Sequence, residues 1–173
     1  MIKVFKLAIL LIFFLNNYSY SQEKIVFIDI NYVFVNSNAG KDLNLQIKNK
    51  NKQLKKEVDD YKKNILLEKN KLISQKNVLS NDEYTKKINE LENKIKNINL
   101  TVSKKNQDFA LFKQLIEKEF SKKLNLIIEE YSVKNSISII LKKQDLLMAK
   151  NELDITNDIF DLFNKKINKI DIN

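Results

Sequence analysis

Any chemistry in this chain has to come from Lys, Asp, Glu, Ser, Thr and Tyr. Its 173 residues include no His, Cys, Trp, Pro or Arg, and a single Gly. Without His or Cys there is no ordinary zinc site, thiol nucleophile or imidazole base. One Gly cannot build a phosphate-cradling loop or a dinucleotide fingerprint. The expectation is therefore no enzyme, no cofactor, no metal and no small-molecule substrate. What remains is electrostatic. Thirty-one Lys stand against 22 acidic residues, a net charge of +9, which favours acidic or anionic partners. Lys69, Lys71, Lys76, Lys86 and Lys87 flank a predicted turn. They are the candidate contacts for an acidic partner or an anionic surface. Lysines also coat any solvated helix, so the signal lies in their clustering and not in one residue.

Two apolar stripes position that turn. The first runs Ile47, Asn51, Leu54, Val58, Tyr61, Ile65, Glu68, Leu72. The second runs Tyr84, Ile88, Leu91, Ile95, Ile98, Val102, Lys105, Phe109, Phe112, Ile116. Alternating steps of three and four place each stripe on one side of a helix. Between them Ser80-Asn81-Asp82-Glu83 reads as a capping box that starts a new helix. The pattern predicts a helical hairpin, with helices over about 41–76 and 82–134, roughly 55 and 80 Å long at 1.5 Å per residue. Phe109 and Phe112 lie on the stripe and are expected in the seam, not on a binding surface. Beyond Ile116 the stripe widens through Phe120, Leu124, Ile127, Ile128 and Tyr131, a face suited to a globular body.

Two registers of the hairpin compete. One pairs Leu72 with Tyr84, Ile65 with Leu91, Val58 with Ile98, Leu54 with Val102 and Asn51 with Lys105. The other sets Val58 against Lys105, Asn51 against Phe112, Glu68 against Ile95 and Gln75 against Ile88. An unpaired polar group facing an apolar one costs about 1–3 kcal/mol. The first register has one such mismatch and the second has four, so the first is expected.

The flanking segments supply a small body. Lys24–Ile30 reads as a buried strand and Asn31–Asn36 as a short helix capped by Asn31. Ser136–Leu141 and Leu146–Ala149 read as two more strands, joined by a tight polar turn into a hairpin that the first strand joins. Asp154-Ile155-Thr156 caps a last helix running to about Lys169, with Ile159, Leu162, Phe163 and Ile167 on one side. Three short strands bury little alone, so a homo-oligomer is expected to complete the core. At the other end, Lys3 and Lys6 precede nine apolar residues, Leu7–Leu15, and then Ser19 and Ser21. That run is too short for a bilayer span of about 20 residues. It describes a cleavable export signal, with the cut expected after Ser21.

The order of these elements is similar to that of the Skp/OmpH family of periplasmic chaperones. Ile28-Asp29-Ile30-Asn31-Tyr32-Val33-Phe34-Val35-Asn36-Ser37-Asn38-Ala39-Gly40-Lys41 resembles the family's opening strand, short helix and Ser-x-Ala-Gly-Lys entry into the arm. Ser138–Lys143, then Leu146-Leu147-Met148 and Leu153-Asp154-Ile155-Thr156, resembles its closing strands and last helix. Met148 stands where the family often has Tyr, and Lys150 near where it often has Pro.

The resemblance implies an α+β, predominantly α fold, with a long antiparallel coiled-coil arm projecting from a small β-sheet body that trimerises. It divides the chain into a signal (1–21), a body (22–40 and 120–173) and an arm (41–119). It implies an ATP-independent periplasmic holdase that binds unfolded outer-membrane proteins, with transient contact to an anionic membrane surface. Within Lys41–Lys134, 22 Lys outnumber 14 acidic residues, which suits acidic clients. An envelope adaptor coiled coil is the alternative, and the bracketing strands argue against it. A nucleic-acid binder is not expected, because the chain is exported and lacks Arg.

Overall fold

The structure is a computed structural model and describes residues 23–172. The predicted export signal and its cut after Ser21 lie outside the described residues. Strand β1 covers Lys24–Ile28, ending two residues earlier than the β-branched run suggests. Asp29 stops it by capping helix α1, Ile30–Asn36, its carboxylate accepting the Tyr32 N–H at 2.8 Å. The cap is thus Asp29 and not Asn31. A carboxylate is a strong acceptor and complements the positive end of a helix.

Ser37 then ends α1 and starts helix α2, Asn38–Ser74, accepting the Gly40 N–H on its side chain at 3.1 Å. The long helix therefore begins before Gly40, not after it. Glycine is needed here for closeness: a Cβ on Gly40 would stand 1.7 Å from the Phe34 carbonyl oxygen. Helix α3, Asn81–Lys134, opens on the predicted capping box, with Ser80 and Glu83 bonding reciprocally. At 37 and 54 residues, α2 and α3 span about 55 and 80 Å.

Strand β2, Ile137–Lys142, lies parallel to β1, with Ile25 opposite Ile139, Val26 opposite Ile140 and Phe27 opposite Leu141. The whole arm is the crossover that a parallel pair requires. The third predicted strand does not pair. Residues Lys143–Asp145 form a 3₁₀ turn in place of a hairpin, and Leu146–Lys150 runs on without a ladder partner among the described residues. The far edge of β1 is already occupied: Phe27 bridges to Asp154, and its carbonyl accepts the Ile155 N–H at 3.0 Å. Helix α4, Thr156–Lys166, follows, ending three residues earlier than expected.

One core joins these pieces. Val26, Ile28, Val33, Ala39, Leu43, Ile116, Phe120, Leu124, Ile159 and Phe163 are buried together. Phe120 is its hub, packing edge-on to Phe34 at 4.8 Å and tilted on Phe163 at 5.1 Å. Aromatic pairs of this kind add about 0.5–1.5 kcal/mol beyond their burial.

Candidate functional site

The arm is the part of the molecule whose surface is not consumed by the core. Along its length every stripe residue from Ile47 to Leu72 and from Tyr84 to Ile116 is buried or half-buried, and the residues between them are almost all exposed. The seam is closed by its own two helices. Phe109 and Phe112 are half-buried in it.

The register is the one with more polar mismatches. Lys105 Nζ lies 2.7 Å from Glu57, the residue before Val58. Glu68 pairs with Lys94, the residue before Ile95. Lys50, the residue before Asn51, sits over the Phe112 ring at 4.2 Å. These offsets set Val58 level with Lys105, Glu68 with Ile95 and Asn51 with Phe112. Leu72 and Leu91 line one groove together, as do Leu54 and Phe109. The expected register would move each partner by seven residues, about 10 Å.

Two physical reasons explain the difference. First, a two-helix seam is thin, and its polar members are not desolvated. The Lys105 and Glu57 side chains remain 37% and 32% exposed. Each leans past its apolar neighbour to an opposite charge, so the cost assigned to a buried unpaired group does not arise. Second, the body fixes the register from below, because Leu43, Ile47, Phe112, Ile116 and Phe120 all pack at the same core. Glu57 is held below the usual carboxylate range by its bonds from Lys105 and Gln53, and Lys105 is raised by Glu57.

All five candidate lysines, Lys69, Lys71, Lys76, Lys86 and Lys87, are exposed at the free end of the arm. Lys71 and Lys87 face each other across the groove that holds Glu68, Glu90 and Lys94. Lys69, Lys76 and Lys86 stand outside that groove. Of the tip carboxylates, Glu83 is engaged in the capping box, which lowers its pKa through the bonds from Ser80. Composition and periodicity do not reveal the apolar residues beside these lysines. Leu66, Leu67 and Ile73 are more than half exposed, and Val78 in the tip loop is 82% exposed. A signal is present in retrospect: Leu66 and Ile73 are one heptad apart, off the seam. The tip thus offers cations and exposed apolar groups side by side.

No cluster of His, Cys, Asp or Glu suited to a metal occurs among the described residues. No described helix is long and apolar enough to cross a membrane. The family pattern described as outer membrane protein (OmpH-like) matches residues 24–163, spanning both strands, the whole arm and most of α4. The chain belongs to the OmpH-like family. That family is one of chaperones, not of enzymes. Among solved structures, an OmpH-like protein from Caulobacter crescentus CB15 superposes with a TM-score of 0.79. It is 15% identical, and the match covers 87% of this chain and 89% of that one. At this identity the likeness shows a shared OmpH-like fold. No curated protein matches the sequence.

Proposed function

We propose that this chain is an ATP-independent periplasmic holdase, binding unfolded outer-membrane proteins after export and keeping them from aggregating. The observation that carries the reading is the arm. It is a self-closed hairpin of two long helices whose outer faces offer many lysines and scattered exposed apolar side chains. An unfolded chain presents carboxylates and apolar groups without fixed order. A surface of many weak sites holds such a client better than one pocket, because linked weak contacts multiply. Lys69, Lys71, Lys76, Lys86 and Lys87 are assigned to client contact and to transient contact with anionic membrane lipids, where each cation near the surface contributes about 1 kcal/mol. The body is assigned to 22–40 and 120–173, the arm to 41–119.

The working form is a homotrimer. On one face of the two-stranded sheet Ile25, Ile139 and Leu141 are each about 40% exposed beside the buried Phe27, and Leu147 and Met148 are solvated. Among the described residues, Leu146–Ala149 has strand-like composition but no strand partner, and β2 pairs with β1 alone, which leaves its outer edge for another copy. Such an edge attracts a second strand. Joining copies through it would bury the open face.

The decisive experiment is aggregation of a urea-unfolded outer-membrane barrel protein, diluted into buffer with and without this protein. Suppression of light scattering at a few trimers per client, without ATP, is expected. Undiminished scattering at tenfold excess sinks the reading. Sedimentation of the chain alone tests the trimer separately.

A further inference from the structure

We propose that Met148 is an oxidation site that gates assembly of the body, its thioether taking one oxygen from a peroxide before the copies meet. The inference rests on the assembly proposed above. The chain has two Met, and Met148 is the one among the described residues. It is 92% exposed, follows the equally solvated Leu147, and lies on a segment, Leu146–Lys150, that has no ladder partner among the described residues. There is no Cys to compete for oxidant.

The chemistry is simple. The sulfur lone pair attacks the near oxygen of a peroxide, the S–O bond forms and the O–O bond breaks. Sulfur gives up two electrons, and the leaving oxygen takes the proton as water or an alcohol. The product carries a strongly polar S=O on a side chain that was apolar and flexible. In the single chain Met148 is surrounded by water, so the added oxygen costs nothing there. In an apolar contact between copies it has to be buried, and an acceptor buried without a donor is unfavourable. Once per copy, that penalty accumulates around the ring. The gate acts in one direction, since assembly that covers the thioether also shields it.

The test uses the exported chain, sedimented over a range of concentrations before and after hydrogen peroxide, with peptide mass mapping to locate the added oxygen. Oxidation confined to Met148 is expected to raise the concentration of half-assembly by about tenfold or more, and methionine sulfoxide reductase is expected to reverse it. Helical circular dichroism should stay unchanged, separating lost assembly from unfolding. Met148→Leu should assemble and ignore peroxide. A chain that carries oxygen at Met148 and assembles at the same concentration overturns the gate and leaves the assembly standing. An untreated chain that stays single at every concentration overturns the assembly itself, and the gate with it.

Discussion

Lys105 stands level with Val58 across the arm seam and bonds to Glu57, 2.7 Å away. An aliphatic residue and a lysine therefore share one layer, and the charge is satisfied one residue to the side. Glu68 repeats the arrangement against Ile95 through Lys94. The relationship makes the register testable. The chain has no Cys, so introduced pairs report without background. A cysteine at 58 should form a disulfide with one at 105 under mild oxidation, and not with one at 98. Preferential cross-linking of 58 to 98 would restore the register that the polar count favours.

Much of the fold is legible in residue types. The two stripes, the break between them and the Ser80 capping box all depend on local spacing, and local spacing is printed in the chain. The register is not local. It depends on how far a lysine can lean out of a thin seam and on where Leu43 and Ile116 meet the core. Counting mismatches treats Lys105 as buried, and it is not. The expected third strand fails to form for a related reason. Leu146–Ala149 has strand composition, but composition does not say whether an edge is free, and Asp154 already bridges to β1. At the tip, the lysines are visible in the sequence, whereas Leu66, Ile73 and Val78 look like core until the seam is known.

The seam charges should make arm stability depend on salt. Glu57→Gln removes the partner of Lys105 and leaves that cation level with Val58. A lower melting temperature than the parent is expected at low ionic strength. The difference should shrink as salt rises toward 1 M, where the screening length falls to about 3 Å. Lys105→Met removes the mismatch itself and should melt above the parent, with little salt dependence. Calorimetry in low and high salt checks both. A Lys105→Met protein that melts below the parent would mean that the ion pair outweighs apolar closure of the seam.

Gly40 tests how tightly the entry to the arm is built. Alanine is favoured over glycine in a helix by roughly 0.5–1 kcal/mol. At this site its Cβ would meet the Phe34 carbonyl oxygen at 1.7 Å and the Ser37 Oγ at 2.9 Å. The carbonyl cannot retreat easily, because α1 is pinned by the Asp29 cap and by Val33 in the core. Steric conflict should outweigh propensity, and Gly40→Ala should lose about 1–3 kcal/mol by the usual cost of overpacking. Urea unfolding followed by circular dichroism measures it. A neutral or stabilised variant would show that α1 and α2 can part at no cost.

Acid should loosen the body through Asp154. Partial burial pushes its pKa up, but its bonds from Thr156 and Lys143 outweigh that and leave it below the usual carboxylate value. One oxygen accepts the Thr156 N–H at 2.9 Å, and the other pairs with Lys143 at 3.3 Å. Thr156 in turn accepts the Asp29 N–H at 2.8 Å, so the carboxylate fastens the returning chain to the end of β1. A group whose pKa is lower in the folded state binds fewer protons there than in the unfolded state. Its stabilisation is complete above the unfolded value, about 3.9 for Asp, and is lost as pH falls through the folded value. Asp154→Asn keeps an acceptor for Thr156 and gives up the charge. The variant should melt below the parent at about pH 6, with the gap closing as pH falls through the folded-state value, where the parent carboxylate becomes protonated as well. Glu57 and Glu83, also lowered, titrate in both proteins and cancel in the difference. A gap that stays constant over that range would assign the loss to packing and not to the charge.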